Sequence, residues 1–511
     1  MLIRVCGGAI RFFVGFLDRQ GDWKLKRKCI YTGRVTDIVD FGGRAKVAVE
    51  APENPEDNGQ VVGVKNVIPG QRINFRLKKQ GKGDLTEVLE KSPIEVNEVC
   101  PVFGACGGCV YSSVGYKDQL EIKLNMVRRL MADFCDVDRI DASPKTTGYR
   151  NKMEYSFGDA VKDGPMTLGL HKRGSRFDVV NADACVLVHE DFNRIVTFTL
   201  SFFEKKDVPY FRKMSGEGVL RHLVLRRSEA TGEILVTLVT TSGMSGDSDI
   251  IREYAGGVCG LALEGSIAGV LHTKNDSVAD IVKDEGTTVI FGKDYITEEL
   301  LGLQFKITPF SFFQTNSKGA EVLYSRAREY ALSTQLGDKP VIFDLYSGTG
   351  TIAQIMAPVA RKVIGVEIVE EAVEAAKVNA GLNGLENCEF IAGDVLKCLD
   401  EISDVPDFII LDPPRDGVHP KALQKILEYG VKNILYISCK PTSLARDLEV
   451  CLEAGYEIGK MGCVDMFPGT GHVETVVYLS KLKSDEHVKV EVDMSEFETT
   501  GSERRKLEKS E

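Results

Sequence analysis

Positive charge is scarce in this sequence. Its 64 lysines and arginines stand against 75 aspartates and glutamates, a formal net charge of -11, which excludes a surface built everywhere to hold polyphosphate. The deficit is uneven. The N-terminal stretch is basic, Tyr149 to Arg227 carries a modest excess of Lys and Arg, and the C-terminal stretch is acidic, so a local basic groove remains compatible with the total. Long apolar runs are missing too. The patch from Val5 to Leu17 is broken by Arg11 and shows no small-residue cleavage site; it is too short for a bilayer and predicts neither an export signal nor a membrane span. A disulfide framework is also absent. The 13 cysteines are odd in number and irregularly spread over 511 residues, a length that needs no staples, and the expected compartment is a reducing cytoplasm. No internal repeat is evident, which excludes a solenoid.

What is present is a chain 43% hydrophobic and 27% charged, suited to two or three globular domains. Residues 1–25 match no recognisable unit and are left as an N-terminal extension. Over 26–93, short alternating runs such as Cys29-Ile-Tyr-Thr-Gly-Arg-Val, separated by Gly- and Asn/Asp/Pro-rich turns, predict a small β-barrel. A Cys-rich turn, a helix around Tyr116 to Phe134 and mixed strands follow, making 94–309 a central α+β domain. From 310 to 482 the apolar runs Val341 to Leu345, Val363 to Val366, Phe408 to Leu411 and Ile434 to Ile437 alternate with helix-length amphipathic segments. They read as buried parallel strands of a doubly wound α/β sheet. Residues 483–511 are acidic and poor in large apolar side chains, the composition of a disordered tail.

The first of those strands ends in Tyr346-Ser-Gly-Thr-Gly-Thr. Gly348 and Gly350 allow a sharp turn and close approach to a ligand at a helix start. The same string satisfies a loose dinucleotide pattern, so NAD stands beside S-adenosylmethionine at this point. Glu367 ends the next strand, placed for ribose hydroxyls; Asp394 ends another, placed for an adenine edge. Asp412-Pro-Pro-Arg at a fourth strand end shifts the balance to methyl transfer, because two prolines stiffen a turn that presents Asp412 in one geometry.

Ile434-Leu-Tyr-Ile-Ser-Cys-Lys-Pro delivers Cys439 to the same sheet edge. Methylating uracil C5 requires a thiolate to add at C6 and a base to take the C5 proton, so a low-pKa cysteine is expected, with Lys440 as a favouring cation. Glu474 is the candidate base at a loop-to-strand junction, and His472 competes on acid/base grounds. Upstream, Cys100-x5-Cys106-x2-Cys109, with Cys185 far along the chain, could hold zinc or an iron-sulfur cluster. Tyr149-Arg-Asn-Lys-Met-Glu-Tyr and Leu220-Arg-His-Leu-Val-Leu-Arg-Arg interleave cations with aromatic or apolar residues and read as strands able to stack bases and neutralise phosphates.

Phe312-Phe-Gln-Thr-Asn, Asp344-Leu-Tyr-Ser-Gly-Thr-Gly, Asp412-Pro-Pro-Arg, Ser438-Cys-Lys-Pro and His472-Val-Glu-Thr occur in the order found in RNA 5-methyluridine methyltransferases. From about Lys26 to Leu482 the chain resembles that family, and within it the bacterial 23S ribosomal RNA uracil-C5 branch. The resemblance implies a Rossmann-like class I methyltransferase domain in the C-terminal half, preceded by an OB-like TRAM barrel that binds RNA. It implies Gln314, Tyr346, Thr351, Glu367, Asp394 and Asp412 around S-adenosylmethionine and the target base, Cys439 as nucleophile and Glu474 as base. It favours a 4Fe-4S cluster over zinc on Cys100, Cys106, Cys109 and Cys185. Two positions depart: many relatives have Asn where Lys440 and Thr351 stand. The partner implied is RNA, 23S ribosomal RNA first, with no membrane and no obligate protein partner. Transfer RNA as substrate, base-nitrogen methylation, and a noncatalytic RNA-binding protein with a metal-stabilised core are the competing readings.

Overall fold

Three large bodies of β-structure, with a two-stranded sheet of Ile296–Leu300 and Leu303–Ile307 besides, make up a computed structural model that describes residues 25–50, 58–97, 100–279, 281–333 and 339–481. The tail read over 483–511, and the extension read over 1–25 save Leu25, lie outside the described residues.

The first body is a closed five-stranded barrel of Ile30–Ile38, Arg44–Glu50, Val61–Lys65, Arg72–Leu77 and Lys82–Glu90. Its interior follows from period-two alternation: in Arg44–Glu50 the side chains of Ala45, Val47 and Val49 point in and are buried while their neighbours are only part-covered. Gly33 is required where two strands press together, since a Cβ there would sit 2.6 Å from the Ala48 carbonyl oxygen.

The second body is a seven-stranded sheet in the order Thr287–Gly292, Ser266–Lys274, Glu233–Thr240, Leu220–Arg227, Lys152–Asp159, Met166–His171, Val179–Asn181, antiparallel except between Glu233–Thr240 and Ser266–Lys274. Helices Glu190–Lys205 and Asp249–Cys259 cover one core, sharing the aromatic cluster of Phe198, Phe202, Phe203 and Tyr254. The reading of Leu220–Arg227 as a phosphate-facing strand is corrected here. Arg221 and Arg226 are each 3% exposed; Arg221 donates to the carbonyls of Asn275, Ser277 and Ala279, and Arg226 to those of Pro309 and Ser311. Their charges hold chain turns in place.

The third body is an eight-stranded sheet. Cys388–Ala392, Lys362–Glu367, Val341–Leu345, Phe408–Leu411 and Asn433–Ser438 run parallel in that spatial order. Glu474–Lys481 then joins antiparallel, followed by Tyr456–Val464 and the short Ile140–Asp141. Both faces are covered by helices, which is why the central strands read as continuous apolar runs; Val341–Leu345 and Asn433–Ser438 are buried throughout. Helix Tyr116–Met131 packs against this sheet from before the central body, with Val127 and Met131 in the same core as Leu411, Leu444 and Leu448. No described helix is long and apolar enough to cross a membrane.

Candidate active site

Spatial order in the parallel sheet reverses between Val341–Leu345 and Phe408–Leu411, and crevices form past the carboxyl ends at such a point. A cavity of about 950 Å³ lies there. Gln314, Tyr346, Thr351, Glu367, Asp394, Asp412, Cys439 and Glu474, drawn from separate stretches of sequence, all line it.

The turn after Val341–Leu345 carries left-handed φ at Tyr346 (71°), Gly348 (53°) and Gly350 (73°). Such a φ at a tyrosine is strained. It is held by the Tyr346 and Ser347 amides, which donate to the Val366 carbonyl at 2.9 and 3.0 Å. At Gly350 a Cβ would meet the Phe390 ring at 2.6 Å, so the helix Thr351–Met356 starts only because a glycine stands there. Glu367 braces this turn: one carboxylate oxygen accepts from the Gly348 amide at 3.0 Å and the other from Val369 at 3.0 Å. Asp394 caps the helix Val395–Glu401 through the Leu396 amide at 2.8 Å, a task the sequence reading had not given it. Two buried polar atoms beside the turn, Ser347 Oγ and Asp344 Oδ1, have no protein partner. A polar ligand fits that cradle.

At the other end of the cavity, Ser438 pairs with Thr475 across antiparallel strands. Continuing that register by one residue sets Cys439 against Glu474. Pro441 occupies the first turn of helix Pro441–Glu453, which ends the strand at the thiol. Burial raises the Glu474 carboxyl to about 8, with the negative charge of Asp412 adding to the rise and Arg415 opposing it. Burial also raises Asp412 to about 7, and Asp344 to about 8 with help from Asp412. Three carboxyls held this high are poised to exchange protons near neutrality.

The Cys439 thiol differs from expectation. Burial, then Glu474 and Asp412, push it up to about 11, rather than down. The cation that chiefly opposes this is Arg415 rather than Lys440. His472 is a poor rival to Glu474: partial desolvation and the cations Arg415, Lys123 and Arg150 lower its pKa to about 4, and its ring lies edge-on to Phe467. Tyr324, buried and bonded to the Gln314 side chain, also lines the cavity. The sequence reading passed it over because it lies inside an ordinary amphipathic helix, Ser317–Leu332.

The loop before Glu474 is clamped along its length. Lys123 donates to Asp465 at 2.7 Å and to the Phe467 carbonyl at 3.1 Å, with both charged side chains fully buried. Asn316 donates to the Met466 carbonyl, Tyr149 to that of Pro468, and the Gly469 amide donates to Gln119. The Val110 and Tyr111 amides, just past Cys109, both donate to the Gly469 carbonyl at 2.9 and 2.8 Å. Lys123→Met strands the Asp465 carboxylate in the interior and is expected to cost about 3–5 kcal/mol in denaturant unfolding, whereas Lys123→Met/Asp465→Leu recovers most of it.

Cys106, Cys109 and Cys185 respond electrostatically to one another and to Cys100, so the four thiols lie near each other; burial is the main cause of raised pKa at Cys106, Cys109 and Cys185, the last reaching about 11. None of the four is in a disulfide. Among the described residues no three His, Cys, Asp or Glu side chains stand at metal-coordinating positions.

Comparison with known proteins shows an RNA methyltransferase. The profile of the tRNA (uracil-5-)-methyltransferase family matches residues 266–482. An RNA methyltransferase of Clostridium tetani is 48% identical over 83% of this chain and 93% of its own length. Another, of Caldanaerobacter subterraneus, is 47% identical over 83% and 94%. The crystal structure of Pyrococcus abyssi tRNA (uracil-54, C5)-methyltransferase in complex with S-adenosyl-L-homocysteine is 27% identical, covers 88% of this chain and 99% of its own, and superposes with a TM-score of 0.69. The chain belongs to the RNA uracil-5-methyltransferase family.

Proposed function

We propose that this enzyme methylates C5 of a uracil in RNA through a covalent adduct on Cys439. The observation that carries the reading is the strand register that sets Cys439 against Glu474 at a cavity also lined by Asp412. Gln314, Tyr346, Thr351, Glu367, Asp394 and Asp412 would hold the cofactor and the target base. S-adenosylmethionine, when bound, supplies a methyl carbon on a cationic sulfur. Cys439 first gives its thiol proton to solvent; the thiolate, favoured by Arg415, then adds to C6, and the displaced electron pair moves to O4 as an enolate, which makes C5 nucleophilic enough to take a methyl group. Glu474 then removes the C5 proton, and the carbon–sulfur bond breaks to restore the thiolate. Base-nitrogen methylation needs neither Cys439 nor Glu474. Incubation with unmodified RNA and methyl-labelled cofactor tests the assignment: label on uracil C5 is expected, and label on adenine or guanine rejects it.

Because the Glu474 carboxyl is raised to about 8, its basic form is scarce at lower pH. Release of methylated product in single turnover is therefore expected to rise about tenfold per pH unit below that value and to level above it, measured by rapid quench.

The 26–93 barrel is assigned as a TRAM-like RNA-binding module, 94–309 as the domain that presents RNA, and 310–482 as the methyl-transfer domain. For the substrate, 23S ribosomal RNA is favoured by the likeness of the barrel and four-cysteine set to that branch. Transfer RNA is the second reading, supported by the Pyrococcus neighbour. Mass mapping of both RNAs from cells lacking the gene separates them. By the likeness of their spacing, Cys100, Cys106, Cys109 and Cys185 would hold a 4Fe-4S cluster, which would have to draw the four thiols into coordinating positions they do not occupy among the described residues. Anaerobically purified protein is expected to carry about four iron and four sulfide per chain; zinc without sulfide overturns this.

A further inference from the structure

A second cleft, of about 560 Å³, opens in the central body between the ends of strands Lys152–Asp159 and Met166–His171 and the segment 209–219. Three rings line it: Phe177, Tyr210 and Phe211. Its floor carries Ser156 beside His222 at 3.3 Å. Phe177 is 63% exposed and Met214 on the rim 90% exposed, large apolar side chains that a monomer surface gains nothing by displaying. The wall is nevertheless built. Arg221, anchored on the carbonyls of Asn275, Ser277 and Ala279, lies 4.8 Å from the centre of the Phe211 ring, and the Tyr210 hydroxyl donates to Asp159 at 2.8 Å.

Charge at the mouth is less negative than that of the whole chain. Lys162, Arg212 and Lys213 line the cleft with Asp159, Asp163 and Asp178, an even balance in a protein of net charge -11, with Arg221 buried behind the wall. The carboxylates are committed to neighbours: Asp159 to Tyr210, Asp163 to Arg212 at 3.1 Å, and Asp178 to Lys172 at 3.9 Å. Aromatic walls, polar groups at the floor and cations at the rim suit an unstacked nucleobase with its phosphate outside.

We propose that this cleft captures a base of the substrate RNA at a distance from the uracil being methylated. The inference rests on the reading of the enzyme as an RNA methyltransferase and adds a specificity site to it. Strand Lys152–Asp159 links the two places: Asn151, just before it, donates to the Gln314 carbonyl at the methyl-transfer cavity, and Asp159 at its far end lines the second cleft. Eight extended residues put the sites about 25 Å apart, so the RNA must present two accessible bases at that separation.

The test uses the full chain with Cys439→Ala, which keeps RNA binding readable whether or not uracil methylation occurs. A fluorescein-labelled single-stranded 12-nucleotide RNA is titrated against this protein and against versions carrying Phe177→Ala or Phe177→Tyr. Loss of one base–aromatic stack is expected to weaken binding about tenfold in Phe177→Ala, with recovery in Phe177→Tyr and unchanged affinity for S-adenosylhomocysteine. The same RNA bearing 4-thiouridine, irradiated on the protein, is expected to cross-link to peptides from 156–163, 171–179 or 209–215. Unchanged affinity in Phe177→Ala, or cross-links confined to the barrel and the methyl-transfer cavity, overturns the proposal. Failure of the enzyme to label uracil C5 would instead remove the catalytic reading while leaving these binding results intact.

Discussion

Cys439→Ala is expected to lower uracil methylation by roughly 10⁴-fold or more, the scale on which enzymes lose rate with their covalent nucleophile. The reason lies in the substrate: without addition at C6, C5 lacks the electron density to take a methyl group. Little else should change, because other groups order the strand end: the Ser438 hydroxyl accepts from the Lys440 amide, and Thr475 donates to the Ser438 carbonyl. Cofactor and RNA affinities are therefore expected within a few-fold of the parent protein. Filter-binding and tritium-transfer assays read both quantities, and an alanine variant keeping a tenth of the activity would dismiss the covalent route.

Glu474→Gln separates the two halves of the reaction. The amide fills the same space and cannot accept the C5 proton, so addition and methyl transfer proceed while elimination stalls. A denaturation-resistant protein–RNA complex that contains the transferred methyl should accumulate, and turnover should fall by about 10²- to 10⁴-fold. Methylated RNA released freely by this variant would show that another group takes the proton. His472 is then the first to examine, although a pKa lowered to about 4 leaves it a weak base.

Much of the cavity was legible in the sequence because its residues sit at strand ends, where apolar runs stop abruptly. Phe408–Leu411 stops at Asp412 and Asn433–Ser438 at Cys439, and a parallel sheet gathers such endings on one edge. The small barrel was legible from its alternating pattern. What could not be read is contact across the chain. Lys123 is one lysine among several in an amphipathic helix, and its partner Asp465 lies 342 residues on; nothing local marks either as buried. Arg415 was visible only as the last residue of Asp412-Pro-Pro-Arg, and its electrostatic effect on Cys439 emerges from tertiary packing. For the same reason Arg221 and Arg226 were read as surface cations, since alternation along a strand does not tell which face a second layer covers.

The three carboxyls at Asp344, Asp412 and Glu474 have a consequence for ligand exchange. Burial raises each of them, and the charge of Asp412 adds to the rise at Asp344 and Glu474, so that a substantial share is protonated near neutrality. A cation entering beside them must drive protons out, whereas a neutral molecule of the same shape displaces none. By linkage, the preference for a sulfonium over the thioether left after methyl transfer grows as pH rises. The spent ligand is thus discriminated by proton release, and the site becomes harder to inhibit by its own by-product in alkaline solution. Calorimetric titration of the two ligands in buffers of different ionisation heat measures that difference directly.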